Sequence, residues 1–233
     1  MNYALIFAGG TGQRMNTKTR PKQFLELYGK PIILYTIEAF EDHPAIDGIV
    51  VVCLEEWMPF LRKKIAHYDI AKVIDVVPGG TTGQESIRNG LAALEAAVGR
   101  GHAVFVHDGV RPLVSDETIT RCAESVVAHG NAISVTPAIE TIVQEEDGVV
   151  TNIIDRAACR MAKAPQCFID AHERALADGE DGFIDSASLM RHYGHVLHTV
   201  ETGPENIKIT TPSDFYIFRA FVDARESSEI FGF

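Results

Sequence analysis

Residues 3–8 are apolar without alternation, and the largely apolar segments 47–54, 71–77, 102–108 and 131–138 also read as buried strands. Runs of this length suit strands covered on both faces. Between them, apolar positions take helical spacing at 31–41, 57–67, 84–98 and 115–129. Pro31 suits a first helical turn, and Ser115, with Thr118 and acids close behind, suits a helix N-terminus. Strand–helix alternation predicts an α/β fold, a doubly wound and mostly parallel sheet with helices on both faces. Ligands in such folds collect at the carboxyl ends of the strands. Segments 9–14, 79–86 and 108–112 are all expected there, three loops on one edge.

One segment breaks the rhythm. Residues 140–156, "ETIVQEEDGVVTNIIDR", alternate imperfectly around Asp147-Gly148, a favoured two-residue hairpin turn. A hairpin placed between a sheet strand and the next helix projects as an arm. Two strands alone are marginal in water, so the arm is expected to pack on something, a second subunit first of all.

The 233 residues suffice for one large α/β domain. A formal net charge of −11 argues against nonspecific binding to nucleic acid or to an acidic membrane. No stretch approaches the roughly 20 apolar residues of a membrane helix, and Met1-Asn2 carries no basic region of a signal peptide. The four cysteines, at 53, 122, 159 and 167, form no C-x-x-C, so reduced thiols in a cytoplasmic protein are expected. Cys53 and Cys122 lie in strand and helix patterns and read as small core residues.

The chemistry begins where the first strand ends, in "AGGTGQRMN". Gly9, Gly10 and Gly12 let main-chain N–H groups come close to a ligand. A dinucleotide fingerprint is excluded because Met15 stands where its third glycine belongs, and a P-loop because Gln13-Arg14-Met15 lacks Gly-Lys-Ser/Thr. Residues 1–30 nonetheless hold five cations, Arg14, Lys18, Arg20, Lys22 and Lys30, against the single acid Glu26. A basic patch beside a glycine turn, in an acidic chain, suits a small polyanion such as a nucleoside triphosphate. "VPGGTTGQESIRNGL" supplies a second glycine turn running into a helix, whose N–H groups and Ser86 suit a base or ribose. In "VHDGVRP", Asp108 and Arg111 read either as a capped surface turn with an ion pair or as ligands, Asp108 for a metal or hydroxyl and Arg111 for a phosphate. Lys208 in "ENIKITTP" carries little signal alone. His192, His195 and His198 read against a metal site, since Gly194 interrupts a helical face and odd spacing on a strand would split His195 from His198.

In order, "AGGTGQRM", "PKQF", "GG" before "SIRNGL", "HDGVRP", "DR" before "APQ", "IDSAS" and "NIKITTP" span residues 4–212. As a set they resemble the CTP-dependent cytidylyltransferases that act on 2-C-methyl-D-erythritol 4-phosphate or on ribitol 5-phosphate. The resemblance implies a Rossmann-like nucleotidyltransferase fold, one domain over 1–233 with a dimerising β-hairpin arm at about 139–160. It implies CTP and a polyol phosphate as partners, Mg²⁺ on the triphosphate, and a homodimer. Carried over residue by residue, Ala8, Gly9, Gly10, Gly12 and Arg14 match the triphosphate loop, and Lys22 its phosphate-contacting lysine. Gly79, Gly80 and Ser86 match the cytidine turn. Asp108 and Arg111 match residues near the polyol phosphate, and Lys208 matches the lysine near the α-phosphate. Thr141 and Arg156 match arm residues that reach the acceptor, Arg156 from the neighbouring subunit. The metal ligands stay open, with Asp108 as one candidate.

Three positions depart from the pattern: Gly83 where an arginine is frequent, Thr81 where an acid is frequent, and Ala164 where a threonine is usual. Gln84 is then a substitute in reading the base. "AGGTG" is similar to the ribitol-phosphate branch and "IDSASLM" to the methylerythritol branch. The expectation is transfer of CMP to D-ribitol 5-phosphate, with the methylerythritol acceptor as the alternative. Outside that pair stand another sugar-phosphate nucleotidyltransferase and a non-catalytic nucleotide-binding scaffold.

Overall fold

The structure is a computed structural model that describes residues 1–10, 20–169, 183 and 185–231. In chain order come β1 (Asn2–Ala8), a short antiparallel pair β2 (Glu26–Leu27) and β3 (Lys30–Pro31), α1 (Ile32–Glu41), β4 (Gly48–Cys53), α2 (Met58–His67), β5 (Val73–Pro78) and α3 (Gly83–Val98). They are followed by β6 (Ala103–Asp108), α4 (Asp116–His129), β7 (Asn131–Pro137), β8 (Ile142–Glu146), β9 (Val149–Ile154) and β10 (Arg160–Ile169). A helix at Ser186–His192, β11 (Thr199–Glu201) and a C-terminal helix at Pro212–Phe231 complete the described chain.

Seven strands make one sheet in the order β11-β7-β10-β6-β1-β4-β5. Every pairing is parallel except the two made by β10. The apolar runs became strands, and every residue of β4 and of β6 is buried, but β5 corrects the expectation of a buried strand at 71–77: it lies at the sheet edge and buries only Val76. Alternate residues of one strand serve opposite faces. Ala4, Ile6, Ile49 and Val51 pack with Ile37 and Phe40 of α1, Leu61 of α2 and Ile119 of α4. On the other face, Leu5, Val50, Val52 and Val106 pack with Ile87, Leu91 and Leu94 of α3 and with Leu189. Helices α3 and α4 start on side-chain caps, whereas α1 and α2 do not, and Pro31 stands just before α1 and not inside its first turn. Ser115 Oγ accepts from Thr118 N at 3.3 Å, and Thr82 Oγ1 accepts from Glu85 N at 3.0 Å, contacts worth about 1 kcal/mol each.

Strand β10 was not legible in the apolar pattern, because Lys163 and Pro165 interrupt it and a proline argues against a central strand. The ladder to β7 accommodates the interruption by a register shift between Ala162 and Gln166. The hairpin is as expected. Asp147 and Gly148 have φ of 50° and 80°, both positive, as a tight two-residue turn between right-twisted strands demands. Its strands β8 and β9 form a sheet of their own, with Val143, Val149, Val150 and Ile153 exposed.

Strand β1 lies between β4 and β6, so the chain proceeds from β1 to one side and later returns to the other. This reversal opens a crevice at the carboxyl ends of β1 and β6, where ligands of open α/β sheets bind.

Candidate active site

Residues Ala8 to Gly10 leave β1 at this crevice, and Asp108 ends β6 beside them; Gly109 N donates to Phe7 O at 3.0 Å. Gln23, buried, donates from Nε2 to Ala8 O at 2.6 Å and to Gly10 O at 3.1 Å. It thereby ties the glycine turn to the Lys22–Phe24 turn that carries Lys22. The second glycine turn touches the first. A Cβ on Gly79 would lie 3.3 Å from Gly9 Cα and 3.2 Å from Ser86 Oγ, so the two backbones meet without room for side chains. Ser86 Oγ accepts from Gly80 N at 3.0 Å and donates to Thr82 O at 2.9 Å. The one proton of Ser86 therefore holds the turn. Thr81 N and Oγ1 both donate to Glu85 Oε2, at 2.6 and 2.7 Å, and these bonds hold the Glu85 carboxyl below its ordinary value.

Asp108 is the electrostatic centre. Its Oδ2 accepts from Arg111 Nε at 2.8 Å and its Oδ1 from Lys208 Nζ at 2.5 Å. Burial alone would raise the Asp108 carboxyl, but the Lys208 and Arg111 cations outweigh it and hold it at about 2. Lys208 reaches the site because its loop is anchored on both sides. Arg111 Nη1 donates to Asn206 O at 2.9 Å, and Ile209 N donates to Val110 O at 2.9 Å. Asn206, fully buried, donates from Nδ2 to Ala164 O at 2.7 Å, while Ile209 is buried with Leu113 and Phe218. Behind the cluster, His107 Nε2 donates to Arg111 O at 3.1 Å, which leaves Nδ1 as the unprotonated nitrogen. Burial pushes this imidazole down to about 4.

A cavity of about 390 Å³ lies over the cluster, with Asp108, Arg111, Lys163, Gln166, Asp185 and Lys208 among its walls. Gly83 and Gln84 also line it, and a Cβ on Gly83 would meet nothing within 4 Å. Gln166 Nε2 donates to Asp185 Oδ2 at 2.9 Å, and Asp185 caps the helix at Ser186–His192 by accepting from Ser188 N at 2.8 Å.

The structure thus joins Asp108, Arg111 and Lys208 in one ion cluster. It brings Ala8, Gly9 and Gly10 together with Gly79, Gly80 and Ser86. Arg14 and Gly12 lie outside the described residues. Thr141 and Arg156 stand exposed on the arm, Arg156 donating to Ile139 O at 2.6 Å, and neither lines the cavity. Asp108 as a metal ligand fits poorly, because each carboxylate oxygen already holds a cation. Among the described residues, no group of three or more His, Cys, Asp or Glu side chains could hold a metal ion. His198 stacks on His129 at 4.0 Å between ring centroids. Lys163, Gln166 and Asp185 were missed as wall residues. Asp185 could have been found as a cap, since Asp-Ser-Ala-Ser is a helix-start signature, but Lys163 between two alanines carries no local signal.

Comparison with known proteins bears on this geometry. Residues 3–224 match the family described as IspD, 2-C-methyl-D-erythritol 4-phosphate cytidylyltransferase. The chain is 50% identical to the ribitol-5-phosphate cytidylyltransferase of Vibrio parahaemolyticus serotype O3:K6, over all of both chains. It is 39% identical to the 2-C-methyl-D-erythritol 4-phosphate cytidylyltransferase of Syntrophotalea carbinolica, over 95% of this chain and 96% of that one. A crystal structure of 4-diphosphocytidyl-2C-methyl-D-erythritol synthase superposes with a TM-score of 0.79 at 29% identity, covering 95% of this chain and 98% of that chain. No described helix is long and apolar enough to cross a membrane. A switch-point cavity walled by paired cations, on a sheet shared with these relatives, is what a nucleotidyltransferase needs, and the chain belongs to the IspD cytidylyltransferase family.

Proposed function

We propose that this chain transfers CMP from CTP to D-ribitol 5-phosphate and releases pyrophosphate. The observation that carries the reading is the cation cluster at the switch point, Arg111 and Lys208 held on the buried Asp108. A sugar phosphate is substantially ionised at neutral pH, its second pKa being about 6. No general base is required. A phosphate oxygen of the acceptor attacks the α-phosphorus of CTP, a new P–O bond forms, and the bond to the bridging oxygen breaks with pyrophosphate leaving. The obstacle is repulsion between two anions and charge growth in the transition state. Fixed cations aimed at the reacting phosphates offset it.

In this reading the turn of Ala8, Gly9, Gly10 and Gly12 admits the triphosphate, and Arg14 and Lys22 neutralise it. Gly79, Gly80 and Ser86 shape the seat of the cytidine, with Gln84 beside it. Lys208 serves the α-phosphate and Arg111 the acceptor phosphate, while Asp108 orients both cations. Mg²⁺ would accompany the triphosphate and offset part of its negative charge. The exposed apolar residues of the arm support a homodimer in which Thr141 and Arg156 complete the partner's site. A cytoplasmic location accords with this chemistry, since CTP is an intracellular substrate.

The ribitol acceptor is favoured by the full-length relative at 50% identity. The methylerythritol acceptor remains the second reading because of the relative at 39%. Purified protein offered CTP with each polyol phosphate, with and without divalent cation, decides between them by pyrophosphate release. A higher kcat/KM with 2-C-methyl-D-erythritol 4-phosphate would reverse the choice. Release with neither acceptor would remove the reading altogether.

A further inference from the structure

Among the described cations of the cavity wall, Arg111 and Lys208 hold Asp108, and Lys163 does not. It stands on β10 and lines two cavities at once. One is the 390 Å³ space over Asp108. The other, of about 620 Å³, is lined by Thr136, Met161 and Thr202 among others. Lys163 is half-buried, and among the described residues no carboxylate or other acceptor is paired with its Nζ. Its charged neighbour is Arg111, a second cation. Burial first, then Arg111, pushes the Lys163 ammonium below its ordinary value. Asp108, the acid close by, already holds Arg111 and Lys208.

Arg111 is similarly incomplete. Its Nε goes to Asp108 and its Nη1 to Asn206 O. Its Nη2 has no partner among the described residues, so a guanidinium with five donors retains spare ones. A desolvated ammonium beside a guanidinium with unused donors is unfavourable. An anion between them relieves both, and a phosphate has the oxygens to satisfy them together. The neighbouring Ala162 and Ala164 offer no side-chain polar group that could compete.

The geometry points to Lys163 as a specificity-determining ligand of the acceptor's phosphate, acting jointly with Arg111 where the two cavities meet. The inference rests on the proposed transfer to a polyol phosphate. It adds that the acceptor's anionic end is held from β10, at the residue that lines both cavities.

The test compares wild type with Lys163→Gln, which keeps length without charge, and Lys163→Arg, which keeps charge. Loss of one charge-assisted contact should raise the acceptor KM about 10- to 100-fold. The CTP KM should stay within about twofold, and Lys163→Arg should recover most of the loss. Melting should be unchanged or improved in Lys163→Gln, because an unpaired half-buried charge is removed. An unchanged acceptor KM, or a rise confined to CTP, would overturn the assignment. A turnover-independent arm uses inorganic phosphate titrated calorimetrically into each protein. Wild type and Lys163→Arg should bind it at least about tenfold more tightly than Lys163→Gln. Equal binding by all three, or none by wild type, sinks the inference even if the chain proves inactive on both polyol phosphates. An active wild type with unaffected Lys163→Gln leaves the transferase reading intact and removes only Lys163.

Discussion

Replacing Asp108 by asparagine keeps the shape of the side chain and imitates its protonated form, so the substitution isolates the charge. The carboxyl sits at about 2 in the fold against an ordinary 3.8. The unfolded chain therefore binds more protons than the native one between those values, and stability rises with pH across that window. The contribution is complete well above pH 3.8 and fades as pH falls through about 2. By linkage it amounts to roughly 2 kcal/mol at pH 7 and about half of that at pH 3. Lys208 is 40% exposed, and solvent screening of its share makes these upper figures. Asp108→Asn should then unfold about 5–10 °C below wild type at pH 7. Urea titrations of both proteins at pH 7 and pH 3 check it, and the gap between them should roughly halve at the lower pH. A gap that is equal at both pH values would show that the stability is packing and not charge. A gap under about 0.5 kcal/mol at pH 7, the scatter of ordinary surface changes, would show that the cluster does not hold the loop of Lys208.

Other outcomes follow from the same site. His107 is held down at about 4 against an ordinary 6.5, so the unfolded chain gains a proton that the fold refuses. Wild type should lose stability as pH falls from 6.5 toward 4, by up to ~3 kcal/mol, and a urea midpoint insensitive to pH over that range would contradict the buried neutral imidazole. Lys22→Ala should lower kcat about 10²–10³-fold with a melting temperature close to wild type; unchanged turnover removes Lys22 from the mechanism. If the arm joins Lys22 of one chain to Arg156 of the other, Lys22→Ala and Arg156→Ala dimers are each nearly inactive. Refolded together they should recover roughly a quarter of wild-type activity, since about half the dimers are mixed and hold one intact site. No recovery with mixed dimers confirmed by mass places Arg156 outside the partner's site.

What the linear pattern determined was whatever short-range physics decides. Unbroken apolar runs had to be doubly covered strands, and those at β1, β4 and β6 are. Ser115 had to cap because its hydroxyl can satisfy an otherwise unpaired N–H, and Asp147-Gly148 had to turn because both residues tolerate positive φ. The glycines of the first two loops marked a close backbone approach, because a missing Cβ is visible in one residue, and Gly9 and Gly79 do meet without room for side chains. The tertiary structure alone decided which loop meets which. Strand β10 runs against its neighbours and brings Lys163 to Arg111, 52 positions apart by number. Asn206 ties the Lys208 loop to both β10 and Arg111. A lysine between two alanines looks like solvent-facing charge in the chain. Its meaning comes from desolvation and from the charges around it, which depend on distance in space and not on separation along the sequence.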